Sequence, residues 1–158
     1  MKTGPLVVTT ALMAVLCVCE AVRFGQICQG NPRNRVRGED SFGHGHFHSH
    51  GHGHQHTGVD IECNDGATVF APFDVTIQRR VDVEGVDPRM VGISSGIELT
   101  GQGLCFRMLF LQPVQTTGTV KKGKKLGTMS RMQTVHPGIT SHIHFEMCDG
   151  SDPTRYFQ

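Results

Sequence analysis

Four cysteines past the first 21 residues, Cys28, Cys63, Cys105 and Cys148, constrain this chain more than any other feature. No two of them stand in a CxxC pair, which argues against a thiolate zinc site. An even number of cysteines in an oxidising compartment implies two disulfides, with three possible connectivities. Any acceptable fold must therefore bring four widely separated points together in two pairs. Each bridge would close a loop of a few tens of residues and contribute ~3–4 kcal/mol. The oxidising compartment is read from the N-terminus. Lys2 gives a basic start, Leu6 to Cys19 is an apolar run, and Cys19-Glu20-Ala21 offers small residues at the first and last positions before a cleavage site. Residues 1–21 are thus expected to be a signal peptide, which removes Cys17 and Cys19 and leaves a secreted, extracellular protein. The apolar run is too short for a comfortable membrane span, which needs about twenty residues.

At 158 residues the chain is long enough to bury one real core. Its formal charge of +1 excludes a strongly basic nucleic-acid or membrane surface at neutral pH. Ten histidines, with ordinary pKa values near ~6.5, would make it clearly positive in acid. Glycine is abundant, tryptophan is absent, and no long helical periodicity occurs. Short strands are expected instead. Val59 to Cys63 leads into the turn Asn64-Asp65-Gly66, and Val69 to Ile77 reads as two strands broken at Pro72. Gly96 to Thr100 and Leu104 to Leu111 flank Gly101-Gln102-Gly103 as in a hairpin. Val81 to Pro88 reads as a polar loop, and Pro137-Gly138 turns the chain into a last strand. The pattern predicts an all-β domain, a compact antiparallel sandwich or barrel. The organisation expected is a leader over 1–21, an irregular lead-in over 22–43, a histidine-rich flexible tract over 44–55, and a zinc-binding β domain over 56–158.

Two stretches carry chemistry, His56-Thr57-Gly58-Val59-Asp60 and Ser141-His142-Ile143-His144. Together they supply imidazole, carboxylate and imidazole, a set that suits zinc with a fourth position left open. Ile143, Phe145 and Met147 alternate with His142, His144 and Glu146, so a strand here puts both histidines on the face opposite the apolar one. A metal would then meet one or both imidazoles. Seven histidines from His44 to His56 fall on every second position. Such a tract can take zinc, copper or nickel loosely, or act as a pH-dependent polyelectrolyte. Lys121, Lys122, Lys124 and Lys125 form a solvated basic turn that could meet an anionic surface such as a glycosaminoglycan.

Several stretches resemble the leukocyte cell-derived chemotaxin-2 family over nearly the whole mature chain. They are His56 to Asp60, Gly66-Ala67-Thr68-Val69-Phe70-Ala71-Pro72-Phe73, Lys121 to Thr128, Pro137 to His144, and Ser151-Asp152-Pro153-Thr154. More distantly the same motifs look like the lysostaphin-type zinc endopeptidases that cut bacterial peptidoglycan cross-links. The resemblance implies a compact antiparallel β-fold of that kind, zinc held by His56, Asp60 and His144, and the pairings Cys28–Cys63 and Cys105–Cys148. The family's third disulfide has no counterpart, because its short loop falls where this chain carries the histidine tract.

The resemblance further implies that two more histidines assist the metal in the peptidases. His142 matches one. The other belongs on the strand Phe106 to Leu111, where Phe110 takes its place, and no histidine occurs between His56 and His136. Phenylalanine neither donates a hydrogen bond nor carries a proton, and losing one such group typically costs ~10²–10³ in turnover. His142 is accordingly expected to be vestigial and the zinc structural. The function the resemblance implies is a non-catalytic extracellular signal with leukocyte or neutrophil chemotactic activity, acting through cell-surface receptors. The alternative is a secreted zinc endopeptidase acting on peptidoglycan cross-link peptides, with His136 standing in for the missing histidine.

Overall fold

We describe residues 21–51, 54–82 and 93–157 of a computed structural model of the chain. The predicted leader apart from Ala21, residues 83–88 of the predicted polar loop, and His52 and Gly53 of the tract lie outside them. Val81 and Asp82 are not loop but the end of a strand.

The strands are β1 (His50–Gly51), β2 (His54–Gln55), β3 (Val59–Glu62), β4 (Thr68–Phe70), β5 (Val75–Asp82) and β6 (Ser95–Gly101). They continue as β7 (Leu104–Leu109), β8 (Leu111–Pro113), β9 (Gly118–Val120), β10 (Lys125–Met129) and β11 (His142–Met147). Six of them build a sheet in the order β3-β11-β7-β6-β5-β9, and three build a second in the order β4-β10-β8. All pairings are antiparallel. No helix among the described residues is long and apolar enough to cross a membrane.

Alternation along the strands explains the layering. In β11, Ile143, Phe145 and Met147 are buried in one core with Val59 and Ile61 of β3, Phe106 and Met108 of β7, and Ile97 and Leu99 of β6. The small sheet contributes Val69, Leu111, Leu126 and Met129 to the same core. An all-β antiparallel fold closed around one apolar interior follows. Cys28 pairs with Cys63 and Cys105 with Cys148, as the resemblance implies, across separations of 35 and 43 residues.

Residues 22–43 contain no strand among them but are bound to the sheets at separate points. Cys28 bridges Val69 and Val36 bridges Ile61. Phe24 sits in the core with its ring 4.9 Å from that of Phe145 and 5.1 Å from that of Tyr156. The histidine tract runs out beside the segment before β3: the His48 amide donates to the His56 carbonyl, and β1 pairs with β2.

One expectation is corrected. Leu104 to Leu111 reads as a single strand, but the chain breaks at Phe110, which adopts φ 69°. β7 belongs to the six-stranded sheet and β8 to the three-stranded one. Phe110 is the residue at which the chain crosses between them, and the left-handed backbone makes the turn.

Candidate metal centre

The β3–β11 register places Asp60 directly opposite His144. Their neighbours Ile61, Ile143 and Phe145 take the core, so period-two geometry sends Asp60 and His144 to the outer face together. His56 reaches the same point through Thr57-Gly58. Only glycine fits there: a Cβ on Gly58 would lie 2.3 Å from the Phe145 carbonyl oxygen and 2.9 Å from the His144 ring. His56 Nε2 is 3.1 Å from Asp60 Oδ1 and 3.0 Å from His144 Nδ1, and His144 Nδ1 is 3.0 Å from Asp60 Oδ1. The three residues can hold a metal ion, since their ligand atoms all lie within 4.8 Å of one another.

Proton positions decide whether the set fits a cation. His56 Nδ1 lies 2.9 Å from the His46 carbonyl, which can only accept, so that nitrogen carries the proton and Nε2 presents a lone pair. His144 Nε2 lies 3.5 Å from Glu146 Oε2, which likewise draws the proton away from Nδ1. With both imidazoles neutral, two lone pairs and a carboxylate oxygen converge. That arrangement is repulsive without a cation and suited to zinc with one. In the metal-free protein a proton fills the role. Burial pushes the His144 imidazole down, but hydrogen bonds to Asp60 and Glu146 and their charges outweigh it and hold it up at about 9. Burial likewise opposes the Asp60 charge, yet the bonds to His144 and His56 keep its carboxyl well below the usual range.

The other oxygen of Asp60 is held from behind. Arg37 Nε and Nη2 both lie 3.1 Å from Oδ2, and Arg37 Nη1 donates to Asp40 Oδ1 at 2.8 Å and to the Gly43 carbonyl at 3.0 Å. Arg37 is 5% exposed and Asp60 2%. Sequence reasoning missed Arg37, although a signal existed. Arg35-Val36-Arg37 complements Asp60-Ile61-Glu62: Val36 bridges Ile61 while Arg37 pairs with Asp60 and Arg35 with Glu62.

His142 is also buried. Its Nδ1 donates to the Thr140 carbonyl at 2.7 Å, and its Nε2 stands 3.4 Å from Asp60 Oδ2. Burial pushes the imidazole below its ordinary value, so it is neutral at neutral pH. The Phe110 ring stands edge-on to it at 5.6 Å, and 6.4 Å from the His144 ring. His136 lies away from this cluster, its ring 5.4 Å from that of Phe42.

Glu146 ties the site to a charged ladder across the sheet. Its Oε1 accepts from Arg107 Nη1 at 3.0 Å, Arg107 Nε donates to Glu98 at 2.9 Å, and Arg79 Nη2 meets Glu98 at 2.8 Å. Thr57 Oγ1 donates to Glu146 Oε2 at 3.3 Å. The hydrogen bond from His144, against partial burial and with help from Arg107, holds the Glu146 carboxyl down at about 2. A groove of about 730 Å³ runs over this ladder, with His144 and Phe110 in its wall.

The peptidase family M23 pattern matches residues 54–155, which include all three cluster residues and His142. Mouse leukocyte cell-derived chemotaxin-2 is 37% identical over 94% of this chain and 97% of its own length, and the bovine protein 39% over 94% and 96%. Chicken myeloid protein 1 is 46% identical over 83% of the chain, which spans 40% of that longer protein. Among solved structures, Helicobacter pylori Csd3 superposes with a TM-score of 0.51 at 16% identity, over 87% of this chain and 35% of Csd3, a likeness of fold alone. The chain belongs to peptidase family M23 and, within it, to the leukocyte cell-derived chemotaxin-2 family.

Proposed function

We propose that this chain is a secreted, zinc-binding extracellular signal that attracts leukocytes through cell-surface receptors and does not hydrolyse peptides. The observation that carries the reading is Phe110. A complete ligand set stands beside it, yet the side chain that faces both His142 and His144 is a hydrocarbon ring. His56 Nε2, Asp60 Oδ1 and His144 Nδ1 would hold the zinc. A bound zinc supplies Lewis-acid polarisation of a carbonyl. Rapid cleavage also needs side chains that hold and move protons around the reacting atoms, and Phe110 can do neither. His142 alone remains for that task. The zinc then serves the fold, tying the segment before β3 to β11 and adding its binding energy to stability. The names of the mouse and bovine relatives, and the length over which they align, support leukocyte attraction as the outcome. Two disulfides support an extracellular setting.

A second reading, a secreted zinc endopeptidase acting on peptidoglycan cross-link peptides, is favoured by the peptidase-family match and by His142 being in place. The signalling reading is tested by leukocyte migration towards the purified, disulfide-bonded protein. Directed migration that an unfolded, reduced sample does not produce is expected. Absence of migration at any concentration of folded protein would contradict it.

A further inference from the structure

On the far side of Phe110 from the charged groove lies a cavity of about 430 Å³. Its walls are apolar, built by Phe42, Phe110, Met132 and Ile139, and Arg37 and His142 give it a polar edge. Two features place it in relation to the metal centre. Phe110 is a wall of both the cavity and the groove, and its ring stands 6.4 Å from that of His144. Arg37 and His142 both reach Asp60 Oδ2. The cavity mouth is therefore about one side chain's width from the ligand set.

The loop carrying Phe42 is pinned to the strand carrying the histidines. Asp40 accepts from Arg37, from the Phe42 amide at 2.8 Å and from the Thr140 amide at 2.9 Å. The Phe42 wall is thereby set in place before a ligand arrives, which lowers the cost of binding. Phe110 itself holds a left-handed backbone, a conformation that costs a bulky residue of order 1–3 kcal/mol and persists only where its surroundings demand it.

We propose that this cavity takes the last side chain of a peptide with a bulky apolar C-terminal residue, whose free carboxylate meets the metal centre. The proposal rests on the zinc reading above. A divalent cation held by two neutral imidazoles and one carboxylate keeps net positive charge, and Asp40 offsets only Arg37. The centre is thus complementary to an anion, while the cavity beside it is complementary to a hydrocarbon. The groove on the other side differs in kind: Arg79, Arg107 and Arg80 are there already paired with Glu98, Glu146 and Asp82. It offers no unbalanced charge to a carboxylate. In an enzyme a proton-carrying group would occupy the Phe110 position; here the ring extends the apolar wall to the edge of the metal site, which converts the site from chemistry to capture.

The test is calorimetric titration of the zinc-loaded mature chain with acetyl-Gly-Gly-Phe, its C-terminal amide, and acetyl-Gly-Gly-Gly, with zinc content measured on the same sample. Acetyl-Gly-Gly-Phe is expected to bind at least about tenfold more tightly than either comparator, because one loses the carboxylate and the other the apolar side chain. Phe42→Ala is expected to erase the preference for phenylalanine over glycine without changing zinc content. If that variant does not fold, the three ligands on the unaltered chain decide the matter. A sample holding one zinc that binds all three peptides alike, or a preference that survives Phe42→Ala, overturns this proposal and leaves the zinc reading standing. A sample holding no zinc overturns both.

Discussion

Replacing Arg37 with methionine isolates the energetics of the buried carboxylate. Asp60 is 2% exposed, and Arg37 gives its Oδ2 two contacts at 3.1 Å while its own charge is shared with Asp40 and the Gly43 carbonyl. Breaking a buried ion pair from one side typically costs ~3–5 kcal/mol, because the remaining charge is left without compensation. His56 and His144 still lie within 3.1 Å of the other oxygen, which pulls the expectation to the lower end, about 3 kcal/mol. For a domain of this size that is a fall in Tm of roughly 10 °C. The assay is thermal unfolding in chelator at neutral pH, followed by near-ultraviolet dichroism. The double variant Arg37→Met with Asp60→Asn removes the stranded charge and is expected to recover much of the loss, giving a coupling of about 1.5–3 kcal/mol between the two positions. A single-variant loss below about 1 kcal/mol, or strictly additive losses, would refute the reasoning.

Other outcomes follow from the same geometry. His144 is held up at about 9 in the metal-free protein, so its charged form contributes stability that is fully present below its ordinary value and is lost as pH rises through about 9. The same proton competes with a metal, so zinc affinity should rise about tenfold per pH unit from 7 to 9, with close to one proton released per ion. Calorimetry in two buffers of different ionisation enthalpy reads this, and a release of zero at pH 7.5 would contradict it. Glu146→Gln removes the acceptor that keeps the proton on His144 Nε2 and should weaken zinc binding about 10–100-fold in a dye competition; unchanged affinity would oppose that role. Gly58→Ala puts a Cβ 2.3 Å from the Phe145 carbonyl oxygen, so it should cost roughly 2 kcal/mol or more in denaturant unfolding and abolish the tight metal site.

How much of this was legible in the sequence depends on whether the signal was local. Period-two alternation in Ile143, Phe145 and Met147 announced β11 and the face on which His142 and His144 stand, and Gln102-Gly103, with φ 51° and 75°, formed the hairpin turn that its residues favour. The triad was legible because residue types and strand phase together put its members on one face. Phe110 was legible as the residue in place of a histidine but not as a break in the strand. Its flanking residues Leu109 and Leu111 are both apolar, so nothing local shows that one belongs to each sheet. Arg37 escaped notice because polar, proline-containing surroundings read as irregular chain. Its burial is set by a partner 23 residues away, and only the complementarity of Arg35-Val36-Arg37 with Asp60-Ile61-Glu62 could have revealed it. The covering of the histidine face by residues 37–46 is likewise a tertiary fact, seen in the Arg37 amide donating to the Asp60 carbonyl and the Asp60 amide to the Gly45 carbonyl.

The central claim is that this chain keeps a metal centre and has lost the chemistry. The most direct measurement is peptide cleavage by the zinc-loaded mature protein on glycine-rich peptides and peptidoglycan fragments, with His144→Ala as the control and zinc content determined on the same samples. The account predicts one zinc per chain and no turnover above that of the His144→Ala variant. Zinc-dependent cleavage that disappears in the variant would contradict it and make the chain an enzyme that works without a proton-carrying group at Phe110.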